Sequence, residues 1–190
     1  MTRTRSLLFA LTLCLCCACS GSPVEPTAGS GTPSVVRPTS VTDEHNDTDL
    51  AYVDRLSSQQ QQAVDLVAMV SNRDISPEVR ELAAQIGADR SDEVRTLRQM
   101  ARAWGVPPHP PEFHGNPGEL TLEQLSELYG QDGPDFEARW LQQMLDNHLG
   151  AVAMSKAEVA DGLNLGTREF ARGLIKVQEA QIEQLESLQE

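Results

Sequence analysis

Two stretches of the chain, 52–100 and 140–188, repeat one another in register at a constant spacing of 88 residues (140 − 52), without a gap. Tyr52 falls on Trp140, Leu56 on Met144, Gln60 on His148, Ala63 on Ala151 and Leu66 on Met154. Leu82 falls on Phe170, Ile86 on Leu174, Glu93 on Gln181, Val94 on Ile182 and Leu97 on Leu185. Such a repeat constrains the fold more than any single motif, because each copy must be the same supersecondary unit. It also separates what has been kept from what has changed. The apolar pairs agree, whereas Gln60/His148, Arg90/Gln178 and Glu93/Gln181 have diverged.

Within the first copy, helical periodicity begins at Asp49 and places Val53, Leu56, Gln60, Val64, Val67 and Ser71 on one stripe ending near Asn72. Ser76-Pro77 reads as an N-cap followed by proline at the first helical position. The second helix carries Val79, Leu82, Ile86, Leu97, Met100 and Trp104 on one face and stops at Gly105-Val106-Pro107-Pro108. Thr121 and Gln124 have the spacing of a capping box and predict a short helix in the central connection. Gly133-Pro134 opens a third long helix to about Asp161, with Asp135 and Glu137 read as acids at its N-terminal dipole. Asn164, aligned with Ser76, caps a fourth helix that continues almost to Glu190. No stretch has strand alternation, and with aromatics at 4% the expected fold class is all-α. Neither amphipathic hairpin can bury its apolar face alone, so the two hairpins are expected to pair as a four-helix bundle.

The start of the chain does not belong to that domain. Arg3 and Arg5 precede an apolar run from Leu7 to Leu15, a secretory signal pattern too short to serve as a membrane-spanning helix. It ends in Cys16-Cys17-Ala18-Cys19, which resembles a bacterial lipobox with Cys19 as the lipidated residue and Cys16 where Leu is usual. We therefore expect a signal over 1–18, a Pro/Ser/Thr/Gly-rich tether over 19–48 and the bundle over 49–190. As a coil, the tether would span on the order of 30 Å. Cys14, Cys16 and Cys17 leave with the signal, so the mature chain has no thiol for a disulfide, a metal or nucleophilic chemistry. Loss of Arg3 and Arg5 leaves 13 basic against 28 acidic residues, a net −15. That balance argues against nucleic acid and against a polybasic grip on anionic lipid, and leaves the anchor as the expected contact with membrane.

Gln60, Arg90, Glu93, His148, Gln178 and Gln181 sit midway along the four apolar stripes. Buried polar groups must find partners, so a shared layer across the bundle is expected. Inward His and carboxylate groups on bundle helices are one way to hold metals. Here, however, the inventory is one His, one Glu, and an Arg three residues from that Glu. A fixed cation opposes a second cation and offers the carboxylate an internal partner. Gln is a weak ligand for transition metals. Three readings stand: a hydrogen-bonded layer that sets helix register, a soft-metal site of His148 with Met144, or a site for a small polar ligand. His109 and His114, with Glu112 between them, lie in a Pro-rich loop and read as solvated residues that could bind a metal at the surface. No Ser/His/Asp arrangement, phosphate-cradling glycine loop or Cys-His pair is apparent, so an enzyme is not expected.

The second copy reads Trp140-Leu141, then Met144-Leu145, Asn147-His148, Gly150-Ala151 and Met154. The first reads Tyr52-Val53, Leu56, Gln59-Gln60, Ala63 and Leu66, and its second helix ends in Trp104-Gly105. This pattern resembles the bacterial DUF305 family (a domain of unknown function) over about residues 49–189. The resemblance implies a ferritin-like bundle and, from some members, handling of a transition metal, with a copper ion as the cofactor. Carried over position by position, the family's first-half histidines are Gln59 and Gln60 here, its first-half Met is Leu66, and the first of its second-half pair is Asn147. His148, Met144 and Met154 remain where the family could use soft ligands. Two expectations follow for a lipoprotein on the extracytoplasmic face of the cell membrane. One is an accessory role in copper handling with a degenerate site. The other is a non-catalytic cell-surface interaction module whose polar layer is structural.

Overall fold

A computed structural model of the chain describes residues 44–107, 110 and 112–190. The signal, Cys19, most of the tether, and His109 lie outside the described residues. Among the described residues five α-helices follow in order: α1 (Asp47–Met69), α2 (Pro77–Ala103), α3 (Leu122–Tyr129), α4 (Gly133–Asp161) and α5 (Leu165–Ser187), with a 3₁₀ turn at Val70–Asn72 closing α1. There is no strand among the described residues, and the fold is an all-α bundle of two hairpins, α1–α2 and α4–α5. The short α3 lies in the central connection.

The predicted caps are made. Val79 N donates to Ser76 Oγ at 3.4 Å and Thr167 N to Asn164 Oδ1 at 3.1 Å. Thr121 and Gln124 bond reciprocally in a capping box. Helix α1 starts two residues before the periodic pattern does, at Asp47 and not Asp49. Asn46 forms a capping box with Asp49 there, which a search for apolar spacing does not detect. The expected α1 stripe also needs correction. Val64 and Val67 are only half-buried and Ser71 is exposed, while Tyr52, Leu56, Gln59, Ala63 and Leu66 carry the buried line. That face turns toward α4 as well as α2.

Each first helix of a hairpin reaches the other hairpin through equivalent residues. Tyr52 on α1 shares a hydrogen bond with Ser155 Oγ on α4 (2.9 Å), and Trp140 Nε1 on α4 donates to the Leu66 carbonyl on α1 (2.9 Å). Between them Gln59 Nε2 donates to the Asn147 carbonyl (2.8 Å) and Asn147 Nδ2 to the Gln59 carbonyl (3.5 Å). The helices α1 and α4 therefore run antiparallel and cross at the Gln59–Asn147 pair, two residues 88 apart in sequence.

The apolar core is split into two clusters. One gathers Leu66, Leu82, Ile86, Phe136, Trp140, Met144 and Leu185 with their neighbours. The other gathers Tyr52, Leu56, Leu97, Met100, Phe170 and Leu174. Fully burying a side chain of this size is worth about 1.5–3 kcal/mol, so both clusters are substantial. On every long helix the switch from one cluster to the other occurs at the diverged polar positions.

The connection between α2 and α4 is clamped onto the α1–α4 groove. Gln62 makes two bonds to Leu120, donating to its carbonyl (2.8 Å) and accepting from its N–H (2.7 Å). Gln59 Nε2 also donates to the Pro117 carbonyl at 3.2 Å. This approach requires glycine at 150, where a Cβ would overlap the Pro117 carbonyl oxygen. Gly150→Ala should therefore cost about 1–3 kcal/mol through forced displacement of the loop. Gly130→Ala, at a site with ordinary spacing and negative φ, should stay within roughly 0.5 kcal/mol. Urea unfolding of both variants checks the contrast.

Candidate functional site

The six polar residues form one layer at mid-height of the bundle, with Gln60 from α1, Arg90 and Glu93 from α2, His148 from α4, and Gln178 and Gln181 from α5. Five of them are fully buried and Gln181 is 6% exposed. Helical spacing accounts for their convergence, because each stands one turn from apolar residues that must face inward. At its centre is the Arg90 guanidinium. Its Nη1 donates to Glu93 Oε2 at 2.5 Å, and its Nη2 donates to His148 Nε2 at 2.9 Å and to Gln181 Oε1 at 2.9 Å. With the Gln178 amide turned so that its oxygen faces the guanidinium, that oxygen accepts from Nη1 at 2.7 Å and from Gln60 Nε2 at 2.9 Å. Gln181 Nε2 in turn donates to Asp89 Oδ2 at 2.8 Å. Arg90 Nε and Glu93 Oε1 have no hydrogen-bond partner among the described residues.

The protonation states follow from the partners. His148 Nδ1 lies 2.7 Å from the Met144 carbonyl, which can only accept, so Nδ1 carries the proton. Its Nε2 must then be the acceptor of the Arg90 N–H. The 3.0 Å approach of Nε2 to Gln181 Oε1 places two acceptors side by side, held there by the guanidinium that donates to both. Burial and the adjacent Arg90 charge push the His148 imidazolium down to about 3, so the ring is neutral at neutral pH. For Glu93, burial pushes the carboxyl above its ordinary range and Arg90 opposes that rise.

The candidate soft ligands are separated. Met144 belongs to one apolar cluster, whereas the half-buried Met154 packs against the other. The layer lies between them. Among the described residues no group of three or more His, Cys, Asp or Glu is placed to hold a metal ion. A copper ion would need the Nε2 lone pair that Arg90 already uses, in a site whose fixed cation repels it. The residues present do not fit a bound copper ion at this layer. In the connecting loop, His114 Nε2 lies 3.6 Å from Asp54 Oδ2 on α1, and its backbone N–H donates to Glu119 Oε2 at 2.9 Å. The backbone N–H of Glu112 donates to Ser58 Oγ.

Two features were not singled out from the sequence. Glu137, read as a first-turn acid of α4, instead accepts from Ser76 N (2.5 Å) and Ser76 Oγ (3.0 Å) at the start of α2. Its repeat equivalent Asp49 does the same for the other hairpin, accepting from Asn164 N at 3.0 Å and Leu163 N at 3.1 Å. The 88-residue register aligns these two acids and was the signal that could have found them. Beside Asp49 lies Glu158, also fully buried.

Paired antiparallel hairpins around a mid-height polar layer define a ferritin-like helical bundle. The chain belongs to the DUF305 family (domain of unknown function), whose sequence profile matches residues 49–189. No curated protein matches it significantly. Among solved structures it is similar to a DUF305 protein of Streptomyces coelicolor designated as secreted, with 29% identity, a TM-score of 0.66, and coverage of 74% of this chain and 91% of that one. A DUF305 fragment from Deinococcus radiodurans superposes with a TM-score of 0.70 at 24% identity, covering 76% and 96% of the two chains. CopM in its Cu(I)-bound form superposes with a TM-score of 0.65 at 21% identity, covering 75% and 96%. The last two likenesses speak for the fold.

The layer's energetics can be tested by taking it apart. Arg90→Leu leaves the Glu93 carboxylate buried without its donor and should cost about 3–5 kcal/mol. Adding Glu93→Leu removes that stranded charge and should return part of the loss, with a coupling of roughly 1–3 kcal/mol between the sites. Denaturant unfolding of the two single variants and the double variant measures it.

Proposed function

We propose that this protein is a non-catalytic, lipid-anchored DUF305 module on the extracytoplasmic face of the membrane, acting through contacts with other molecules and holding no metal in its core. The observation that carries this reading is the 2.9 Å hydrogen bond from Arg90 Nη2 to His148 Nε2. It occupies the lone pair a metal would use and puts a positive charge where the ion would sit. The signal-like start and Cys19 support the location, as does the secreted designation of the Streptomyces relative. No described helix is long and apolar enough to cross a membrane. An apolar groove of about 620 Å³ between α1 and the end of α2, lined by Leu50, Val53, Ala101, Trp104, Val106 and Pro107 among others, supports contact with another molecule.

The second reading is accessory copper handling. It is favoured by the common fold with CopM, which is known in Cu(I)- and Cu(II)-bound forms. Its donors here would be His148, Met144 and Met154.

Titration of the purified mature protein with Cu(I) against a competing chelator separates the two. The expected result is no stoichiometric binding at micromolar or tighter affinity, with wild type and His148→Ala indistinguishable. One-to-one binding in that range, lost in His148→Ala, would overturn the proposal in favour of copper handling.

A further inference from the structure

We propose that Asp49 and Glu158 share one proton, and that this shared proton latches the start of α1 to the α4–α5 turn. Both side chains are fully buried. Asp49 spends its carboxylate on three backbone N–H groups. Oδ2 accepts from Asn46 at 2.7 Å and Leu163 at 3.1 Å, and Oδ1 accepts from Asn164 at 3.0 Å. These donors hold it ionised, below the ordinary aspartate range, against the opposing effect of burial. Glu158 is in the reverse position. Among the described residues none donates an N–H or O–H to either of its oxygens, and the side chain folds against Gly162 with the Asp49 carboxyl beside it. A second buried carboxylate with no donor, next to a first, is not sustainable, but a carboxylic acid that donates its O–H to Asp49 is.

The other groups facing Glu158 do not alter this conclusion. From α5, the Arg168 cation favours ionisation but has turned its Nε to the Val159 carbonyl at 3.2 Å. From α1, besides Asp49, comes the Tyr52 phenol, itself pushed up by burial and bonded to Ser155. In the entering segment, the Glu44 carbonyl accepts from Asn164 Nδ2 at 2.8 Å and His45 stacks on Trp104, so both are engaged elsewhere. Burial first, then Asp49, pushes the Glu158 carboxyl up to about 8. Since that value lies above the unfolded one, the stabilisation is fully present below about 4.5 and is lost as pH rises through about 8.

The latch sits where the chain enters the bundle from the tether. Asn46 Nδ2 donates there to the Asp161 carbonyl at 3.0 Å, and Leu163 and Leu165 stand exposed on the turn. Ionisation of Glu158 would put two negative charges behind the amides of Leu163 and Asn164 and loosen this end without dismantling the central layer.

The test follows the Glu158 side-chain carboxyl carbon by NMR, together with amide-exchange protection factors corrected for intrinsic pH dependence, between pH 5 and 9.5. A Glu158 midpoint near 8, with protection of Leu163 and Asn164 falling through the same midpoint, is the expected result. Glu158→Gln keeps a donor for Asp49 and should abolish that fall. A Glu158 midpoint in the ordinary carboxylate range overturns the proposal. So does a raised midpoint with unchanged protection, or a fall that persists in Glu158→Gln.

Discussion

The bundle depends on one buried guanidinium. Arg90 is fully buried, and a charge in that position is tolerable only with a counter-charge and acceptors at its terminal nitrogens. Helices α4 and α5 therefore have to deliver acceptors at the height of Arg90, and α1 joins the layer as a donor, through Gln60 Nε2 to the Gln178 oxygen. Glu93 supplies the counter-charge from the same helix, His148 and Gln181 accept from Nη2, and Gln178 links the guanidinium to Gln60. A slide of one helix by a turn would strand a charge or a buried amide. The layer thus restricts the register of helices whose apolar clusters, on either side, would tolerate more than one alignment.

The repeat builds the rest of the molecule around that layer by exchange between halves. Tyr52 and Trp140, Gln59 and Asn147, and Asp49 and Glu137 are three pairs of equivalent positions. In each pair, each member bonds to the opposite hairpin. These bonds run from one end of the bundle through its middle to the other end, so duplication has produced two hairpins that cap and brace each other. The centre is where the symmetry is broken. Arg90 faces the α5 side, where its equivalent is Gln178, and one fixed cation takes the place of a symmetric set of donors.

Much of this was legible in the sequence because periodicity and register report directly on burial. The helices, the caps at Ser76 and Asn164, and the convergence of Gln60, Arg90, Glu93, His148, Gln178 and Gln181 all follow from spacing. What spacing does not convey is the direction of a polar side chain once it is inside. It could not show that Arg90 would donate to His148 Nε2, or that Glu137 would turn from its own helix to Ser76. Nor could it place Ser71 correctly, because α1 serves two neighbours and its buried face drifts toward α4. Glu158 was missed for a related reason. A single glutamate near a helix end ordinarily reads as solvated, and only tertiary packing sets it against Asp49.

The functional reading rests on the state of His148. A neutral ring with the proton on Nδ1 and the Nε2 lone pair engaged by Arg90 leaves no free imidazole nitrogen for a metal at the layer. The most direct measurement is long-range ¹H–¹⁵N NMR of the histidine side chains in the mature protein, recorded from pH 8 downward. The account predicts that His148 shows a protonated Nδ1 and an unprotonated Nε2, unchanged to pH 4.5. An Nε2-protonated ring, or titration of His148 near the ordinary histidine value of about 6.5, would contradict it.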